Sequence, residues 1–584
     1  MTMEKSVGRQ LVLSAIVMAW SAGTVAQVSP SPPTAASAAS PPPIVAQLPA
    51  AAATVAAPPA PPAPSADDPV ATAIYGRVQQ MTPLQGGPLS RGDAALGKAV
   101  TDFYAQRHFT AAWSNPANVQ QLLTGLASVD DDGLLPDDYD LPALKATTEA
   151  PDWATASPQQ RADFDVAATG AYITALVQLA RGKVDPMRLD PIWNFDPAAI
   201  DAQQGMSMLQ TSIDEGSVDQ AFAMARPQNP LYAQLRDALA QLKASAAQGG
   251  WPTVPDGPSL KPGMKDPRVS ALRARLVAGG YLDPTLAHGE HYDSAVTDAV
   301  KRFQMDQYLD TDGSVGADTL TALNVPIATR IGQVRVNLER ARWLLHALEG
   351  TFVVVDVAGY KISFYRDGKP VWKSRVQVGK PYRSTPIFRS QITYITFNPT
   401  WTVPPTILKN DILPKVRANS AYLANNRIRV LDSNGNAISA AGVNWSNPRG
   451  ITLRQDAGPG NSLGQVVIRF PNSFSVYLHD TPHQDLFSKA KRDTSSGCIR
   501  VEHPLELVQL LFNDDEKWNR QAIDDRIATK KTQNVTLPTS VPVLLAYWTV
   551  DIGDDGKLAY KPDVYDRDGP LLSALDKPQP LRTP

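Results

Sequence analysis

The chain has 584 residues, with 55 Lys and Arg against 57 Asp and Glu, 51 prolines and one cysteine. A net charge of −2 gives no electrostatic reason to expect a nucleic-acid partner or a polybasic membrane contact. One cysteine excludes an internal disulfide framework, and roughly 500 residues of ordinary composition leave room for three or four domains of about 150 residues each.

The first 26 residues read as an export signal. Lys5 and Arg9 precede an apolar run from Leu11 to Trp20, and Thr24-Val25-Ala26 closes it with small residues. The run falls short of the about 20 residues that span a bilayer. Counted as far as Ala26, it would serve uncleaved as an inner-membrane anchor. It offers no cysteine for lipid attachment. The expected compartment is the periplasm, where a near-absence of cysteine suits oxidising conditions. Residues 27–70 are Pro/Ala-rich and read as a disordered, semi-extended tether.

A helical pattern follows over 71–250. Apolar residues recur at three- and four-residue spacing in Ala94 to Tyr104, Val119 to Leu126, Gln160 to Leu179 and Leu231 to Ala244. No paired carboxylates or metal-ligand spacing stand out, so this unit is expected to be a structural scaffold. A second unit, 258–326, predicts three short helices. Its strings Ala299-Val300-Lys301-Arg302-Phe303-Gln304, Asp312-Gly313-Ser314-Val315-Gly316 and Thr319-Leu320-Thr321-Ala322-Leu323-Asn324 resemble the small three-helix peptidoglycan-binding domain. That resemblance implies contact with glycan strands, although core packing alone would explain each apolar position. Residues 327–349, with Ile331, Val334, Leu338, Ala341 and Leu345 in phase, predict an amphipathic connecting helix.

From Thr351 the period changes to two. Strands are expected at Thr351 to Val357, Lys361 to Tyr365, Ser374 to Val378, Ile392 to Phe397, Val466 to Phe470, Val476 to His479 and Val541 to Tyr547. Asp367-Gly368 marks a hairpin. The pattern breaks over 407–446 into a helical and loop-rich insertion, the length of a lid. The unit 350–550 is therefore a mostly β domain with a capping insertion, and 551–584 is left as a C-terminal tail. The fold class expected for the whole is multidomain α+β.

The lone Cys498 lies in the turn-like run Thr494-Ser495-Ser496-Gly497-Cys498-Ile499-Arg500. A free thiol has a pKa of about 8.5 and needs a base to attack at neutral pH. His479 lies nineteen positions upstream. In an alternating strand Phe474 to His479, Phe474, Val476 and Leu478 face the core, while Tyr477 and His479 share the other face. His483 and His503 are rival bases, but neither is placed by a strand. Turn amides around Ser496, Gly497 and Cys498 are candidates to hold an oxyanion. Arg500 would clamp a substrate carboxylate or pair with a nearby acid.

His479-Asp480-Thr481-Pro482 with Ser495-Ser496-Gly497-Cys498-Ile499-Arg500-Val501 resembles the signature of the L,D-transpeptidase (YkuD-type) catalytic domain. Val378-Gly379-Lys380-Pro381, Asn398-Pro399-Thr400-Trp401-Thr402-Val403-Pro404-Pro405 and Gly458-Pro459-Gly460-Asn461-Ser462-Leu463-Gly464 are similar to its large periplasmic subclass. In that subclass a helical scaffold and a peptidoglycan-binding-like domain accompany the catalytic domain. Many members carry histidine where this chain has Ser496, which leaves open what orients His479. A backbone carbonyl is the expectation.

The resemblance implies acyl transfer on peptidoglycan. Cys498 would be the nucleophile, His479 the base, Tyr477, Ser496, Gly497 and Arg500 positioning residues, and Trp401 part of the substrate cleft. The donor would be a tetrapeptide stem and the acceptor the side-chain amine of diaminopimelate, giving 3→3 cross-links. No cofactor or metal is called for, because an amide is exchanged for an amide. Acylation by carbapenems and cooperation with other cell-wall synthases are further implications. An L,D-carboxypeptidase using water, or a non-catalytic wall-binding protein, are the alternatives. Presence of both Cys498 and His479 argues against the latter.

Overall fold

The computed structural model describes residues 64–65, 67–81, 91–195, 201–348, 350–553 and 556–579. The expected signal 1–26 and nearly all of the tether 27–70 lie outside the described residues. Helices at Arg91–Gln106, Pro116–Ser128, Pro158–Arg181 and Pro230–Ala247 realise the four expected scaffold segments. The longest, Pro158–Arg181, starts on a reciprocal cap: Ser157 Oγ accepts from Gln160 N at 3.3 Å while Gln160 Oε1 accepts from Ser157 N at 2.8 Å. Phe164, Val166, Tyr172 and Leu179 on it are buried in the scaffold core.

The second unit has helices Arg268–Ala278, Ser294–Asp306 and Ala317–Leu323 around a separate core that includes Leu272, Val300 and Phe303. The connecting helix runs over Ile327–Leu344. Its apolar face packs on Tyr232, Leu235 and Leu239 of the scaffold. The amphipathic pattern also predicts a solvated polar face, and here the structure differs. Glu339 and Arg342 are fully buried. Arg342 pairs with Glu339 and donates to Asp132 O and Tyr232 Oη, both at 2.9 Å. Arg340 pairs with Asp568 at 2.6 Å, and Asn337 donates to Thr549 Oγ1 at 2.8 Å. The polar side is covered by the scaffold at Arg342 and Glu339 and by the last part of the chain at Arg340 and Asn337.

The β unit begins with β1 (Phe352–Asp356), β2 (Lys361–Arg366), β3 (Lys369–Gly379) and β4 (Phe388–Phe397). Asp367 and Gly368 have φ of 50° and 73°, so the expected hairpin is a left-handed two-residue turn. The chain then forms β5 (Trp401–Thr402), β6 (Ile428–Leu431), β7 (Ala437–Ile438) and β8 (Thr452–Gln455), and returns through β9 (Val466–Arg469), β10 (Leu478–His479), β11 (Asp493–Ser495), β12 (Ile499–Val501) and β13 (Gln533–Ala546). The main sheet has the order β11-β3-β12-β10-β9-β4-β13-β1-β2. β3 pairs with β2 over its first half and with β12 and β11 over its second. The sheet therefore closes on itself through β3, which buries Val353, Ile362, Val376, Ile395, Ile468, Leu478 and Ile499 inside.

Two boundaries need correction. The insertion expected at 407–446 as helix and loop is a unit with a four-stranded sheet, β5-β8-β6-β7, and a core of its own around Ile412, Val416, Ile428, Val430 and Leu453. Its strands are too short, and two of them too exposed, to leave a period-two signal. The described part of 551–584 is not a trailing tail. β14 (Val550–Ile552), β15 (Leu558–Tyr560) and a helix at Asp568–Leu575 pack on the connecting helix. Lys561 Nζ reaches the buried Asp356 at 2.6 Å. Among the described residues no helix is long and apolar enough to cross a membrane.

Candidate active site

β10 and β12 run parallel, with Leu478 beside Ile499 and His479 beside Arg500. Ile499 N also donates to Tyr477 O at 3.0 Å. Leu478 and Ile499 are both 0 % exposed on the core side. Alternation puts Tyr477, His479, Cys498 and Arg500 together on the opposite face. The side-chain direction expected for Tyr477 and His479 follows from the same rule. It fails one step earlier: Phe474 is 36 % exposed instead of facing the core. Ser475 has φ of 55°, and Asn472 Oδ1 accepts from the Phe474 and Val476 amides at 3.0 and 3.1 Å. The chain turns at Ser475, so the strand cannot extend back to Phe474.

That turn aims a carbonyl at the thiol. Cys498 Sγ donates to Ser475 O at 3.6 Å. Burial pushes the thiol pKa up, opposed by the Tyr477 backbone amide and by the charges of Arg500 and Arg469. His479 is buried, with Nδ1 2.5 Å from the carbonyl oxygen of Asp480. A carbonyl only accepts, so Nδ1 carries the proton and Nε2 keeps its lone pair. Burial first, and Arg500 and Arg469 next, lower the His479 pKa to about 3. At neutral pH the pair is thus imidazole and thiol, not imidazolium and thiolate. The Asp480 carboxylate turns away, accepting from Gln465 N at 2.9 Å.

Gly497 has φ of 112°, a conformation open to glycine and costly for other residues. Its amide donates to Ser495 Oγ at 3.1 Å, and Ser495 Oγ donates to Cys498 O at 2.6 Å. This corrects the oxyanion expectation at Gly497, whose N–H is already committed. The Gly497 carbonyl accepts from Thr385 Oγ1 at 2.9 Å, which in turn accepts from Gly379 N at 2.9 Å. Gly379 allows this close approach, since a Cβ there would lie 2.1 Å from Arg383 O. Tyr565 Oη donates to Gly379 O at 2.7 Å and accepts from Thr385 N at 3.1 Å. The turn before Cys498 is therefore braced by Tyr565, far along the chain. Ser496 Oγ accepts from Arg383 Nη1 at 2.9 Å, and Arg383 pairs with Asp411 of the capping unit at 2.6 Å.

Arg500 donates to the neutral Gln377 at 3.1 Å. The Arg469 guanidinium lies 4.4 Å from the Tyr477 ring centroid. Neither forms an ion pair with a carboxylate among the described residues. Of the rival histidines, His503 is exposed beside Glu502 at 4.0 Å, and His483 is exposed after β10 and gives its carbonyl to Gln377. Trp401 lies in β5, against the core of the capping unit. Sequence reasoning missed Tyr565, Thr385, Arg383 and Gln377. Only the Val378-Gly379-Lys380-Pro381 run, as part of the family resemblance, pointed near them. No group of three or more His, Cys, Asp or Glu among the described residues is placed to hold a metal ion.

Three family models match the chain. They are described as "Scaffold domain" over residues 98–239, "Putative peptidoglycan binding domain" over 265–323 and "L,D-transpeptidase catalytic domain" over 350–515. The chain carries these three domains in a multidomain α+β arrangement. A Haemophilus influenzae protein named "Putative L,D-transpeptidase" is 34% identical over 239 residues, 40% of this chain and 48% of the relative. The match thus spans about half of that relative's length. Among solved structures, an L,D-transpeptidase from Xylanimonas cellulosilytica is 17% identical, covering 50% of this chain and 99% of its own, with a TM-score of 0.17. One from Mycobacterium smegmatis is 16% identical, covering 34% and 58%, with a TM-score of 0.16. A Cys-to-Ser variant from Enterococcus faecium is 12% identical, covering 48% and 91%, with a TM-score of 0.17.

Proposed function

We propose that this L,D-transpeptidase domain forms 3→3 cross-links between peptidoglycan stem peptides through a thioester on Cys498. The observation that carries the reading is the shared face of β10 and β12. It sets the thiol, an imidazole with Nε2 free, and a guanidinium without an acid on one surface.

Cys498 Sγ attacks the amide carbon between the L-centre of diaminopimelate and the terminal D-alanine of a donor tetrapeptide. His479 Nε2 takes the thiol proton and passes it to the amine of D-alanine as the C–N bond breaks. The side-chain amine of an acceptor diaminopimelate then attacks the thioester and gives its proton to His479, and the thiol is restored. A neutral resting pair fits this order, because the thiolate forms only as substrate arrives. Arg500 and Arg469 offer charge to a stem carboxylate. The Ser496 and Cys498 amides are the turn's remaining donors for the oxyanion. The Arg383 bridge from Ser496 to Asp411 places the capping unit beside the turn, where it would keep water from the thioester. The periplasm is the compartment in which such a substrate is met. The 258–326 unit would contact glycan strands, and neighbouring cell-wall synthases would supply fresh stems.

Incubation with a disaccharide-tetrapeptide followed by mass analysis tests the reading. A cross-linked dimer short of one alanine is expected. Tripeptide monomer alone would make the domain an L,D-carboxypeptidase, and full activity in Cys498→Ala would end the thioester mechanism.

A further inference from the structure

A cleft of about 450 Å³ lies where three parts of the chain meet: helix Pro230–Ala247, the small three-helix unit, and the β14–β15 hairpin. It is separate from the residues around Cys498. Two arginines form its floor, Arg275 at 2 % and Arg330 at 8 % exposure. Arg275 Nε donates to Leu323 O at 2.7 Å, but its Nη1 has no hydrogen-bond partner. Arg330 donates only to the neutral Gln333 and Gln307. Among the described residues no carboxylate forms an ion pair with either guanidinium, and Arg330 bears unfavourably on Arg275. Asp237 on the rim is exposed and pairs with neither.

Ring stacking is the compensation the protein does provide. The guanidinium of Arg275 lies 4.1 Å from the Trp251 centroid, and that of Arg330 4.1 Å from the Tyr560 centroid. Such contacts recover only part of the desolvation penalty of a buried ion. Burial lowers both pKa values to about 10, so both stay charged at neutral pH. Two like charges on one floor, one with an orphaned donor, call for an anion from outside.

We propose that this cleft binds the carboxylate of a second peptidoglycan stem peptide, remote from the one being cut. The inference rests on the peptidoglycan reading above. Planar guanidinium matches a carboxylate in a fork. The volume falls in the range of about 300–1,000 Å³ that small-molecule sites occupy and exceeds what a bare anion fills. The walls of Trp251, Tyr281, Phe303 and Tyr560 suit a ligand with an apolar body beside its charge. Placed between scaffold and small unit, the site would hold one strand of the wall while the catalytic unit works on another.

Hydrogen exchange on the full chain carrying Cys498→Ala tests this, with millimolar disaccharide-tetrapeptide as probe. Protection is expected at 275–281 and 556–560 as well as around 477–500. Arg275→Met is the direct variant but removes a buried hydrogen bond and risks the fold. Gln241→Glu sits on the exposed face of its helix and lines the same cleft. It brings a carboxylate into the cleft and should abolish protection at 275–281 and 556–560, with that around 477–500 unchanged. A probe with its carboxyls converted to amides should lose the same protection. Protection confined to 477–500, or cleft protection indifferent to Gln241→Glu or to amidation, overturns the proposal. Equal cleft protection by inorganic phosphate overturns the stem-peptide assignment. Absence of protection around 477–500 would instead count against the function proposed above.

Discussion

The second half of the connecting helix and the face of β10 and β12 treat their cations in opposite ways. At the helix, Arg342 meets Glu339 and Arg340 meets Asp568; nearby, Lys561 meets Asp356. On the face of β10 and β12, Arg500 has Gln377 and Arg469 has the Tyr477 ring, with no acid for either. A matched buried pair contributes little net stability, yet losing one partner is costly. An unmatched guanidinium does the reverse: it taxes the fold and keeps its charge for a ligand. Matched cations mark where the units are joined, and unmatched ones mark where substrate is expected.

Substitutions can break this contrast. The largest effect is expected at His479. His479→Gln should lower the acylation rate by about 10²–10⁴-fold, the range of a lost general base, read by single-turnover mass analysis; an unchanged rate would move the base to His483 or His503. The pH response sharpens the point. An ordinary histidine, with a pKa of about 6.5, would be mostly protonated by about pH 5, whereas His479, held near 3, should leave acylation flat between about pH 7 and 5. Stability carries the same signature. The unfolded imidazole takes up a proton from about pH 6.5 downward and the folded one only near 3. Stability should therefore fall with pH through that window, and His479→Gln should flatten the slope.

Next in size is the matched side. Arg342→Met leaves Glu339 buried without its partner and should cost about 3–5 kcal/mol in denaturant unfolding, with the remaining folded enzyme acylating normally. Arg500→Met tests the unmatched side. It should leave stability equal or higher but reduce acylation about 10–100-fold, the worth of a charged hydrogen bond of roughly 1.5–3 kcal/mol. Because Arg500 lowers the His479 pKa, the acid limb of the rate profile should also move upward. An unmoved limb would mean that Arg500 does not act on the base. The smallest effect is expected for Tyr565→Phe, which leaves Thr385 N and Gly379 O without their partner. A loss of about 1–3 kcal/mol should appear as a lower kcat at unchanged KM, since the residue braces the turn and lies behind it.

Much of this was legible from local pattern. The Asp367-Gly368 turn and the common face of Tyr477 and His479 both follow from periodicity or turn chemistry, and the structure has them. The face argument broke at Phe474 because the Asn472 side chain organises a turn that alternation does not register. The brace on Gly497 was out of reach for a different reason. Tyr565 meets Gly379 across 186 positions, and Arg383 meets Ser496 across 113. A single sequence holds no pairing signal over such spans. The covered polar face of the connecting helix was invisible likewise, since its cover comes from Asp132 and Tyr232 on one side and from Thr549 and Asp568 on the other, all far away in the chain.

The hydrogen bond from Cys498 Sγ to Ser475 O has a consequence for the protein's lifetime. Peroxide and foreign disulfides attack thiolates, and susceptibility follows thiolate character. A thiol kept protonated, with its hydrogen on a carbonyl and its pKa raised by burial, is a poor target for both. Under the function proposed above, the reactivity of the sole cysteine is then conditional: it would appear when a substrate displaces that contact and lapse when the product leaves. Sulfenic acid formation on the free enzyme should accordingly be slow.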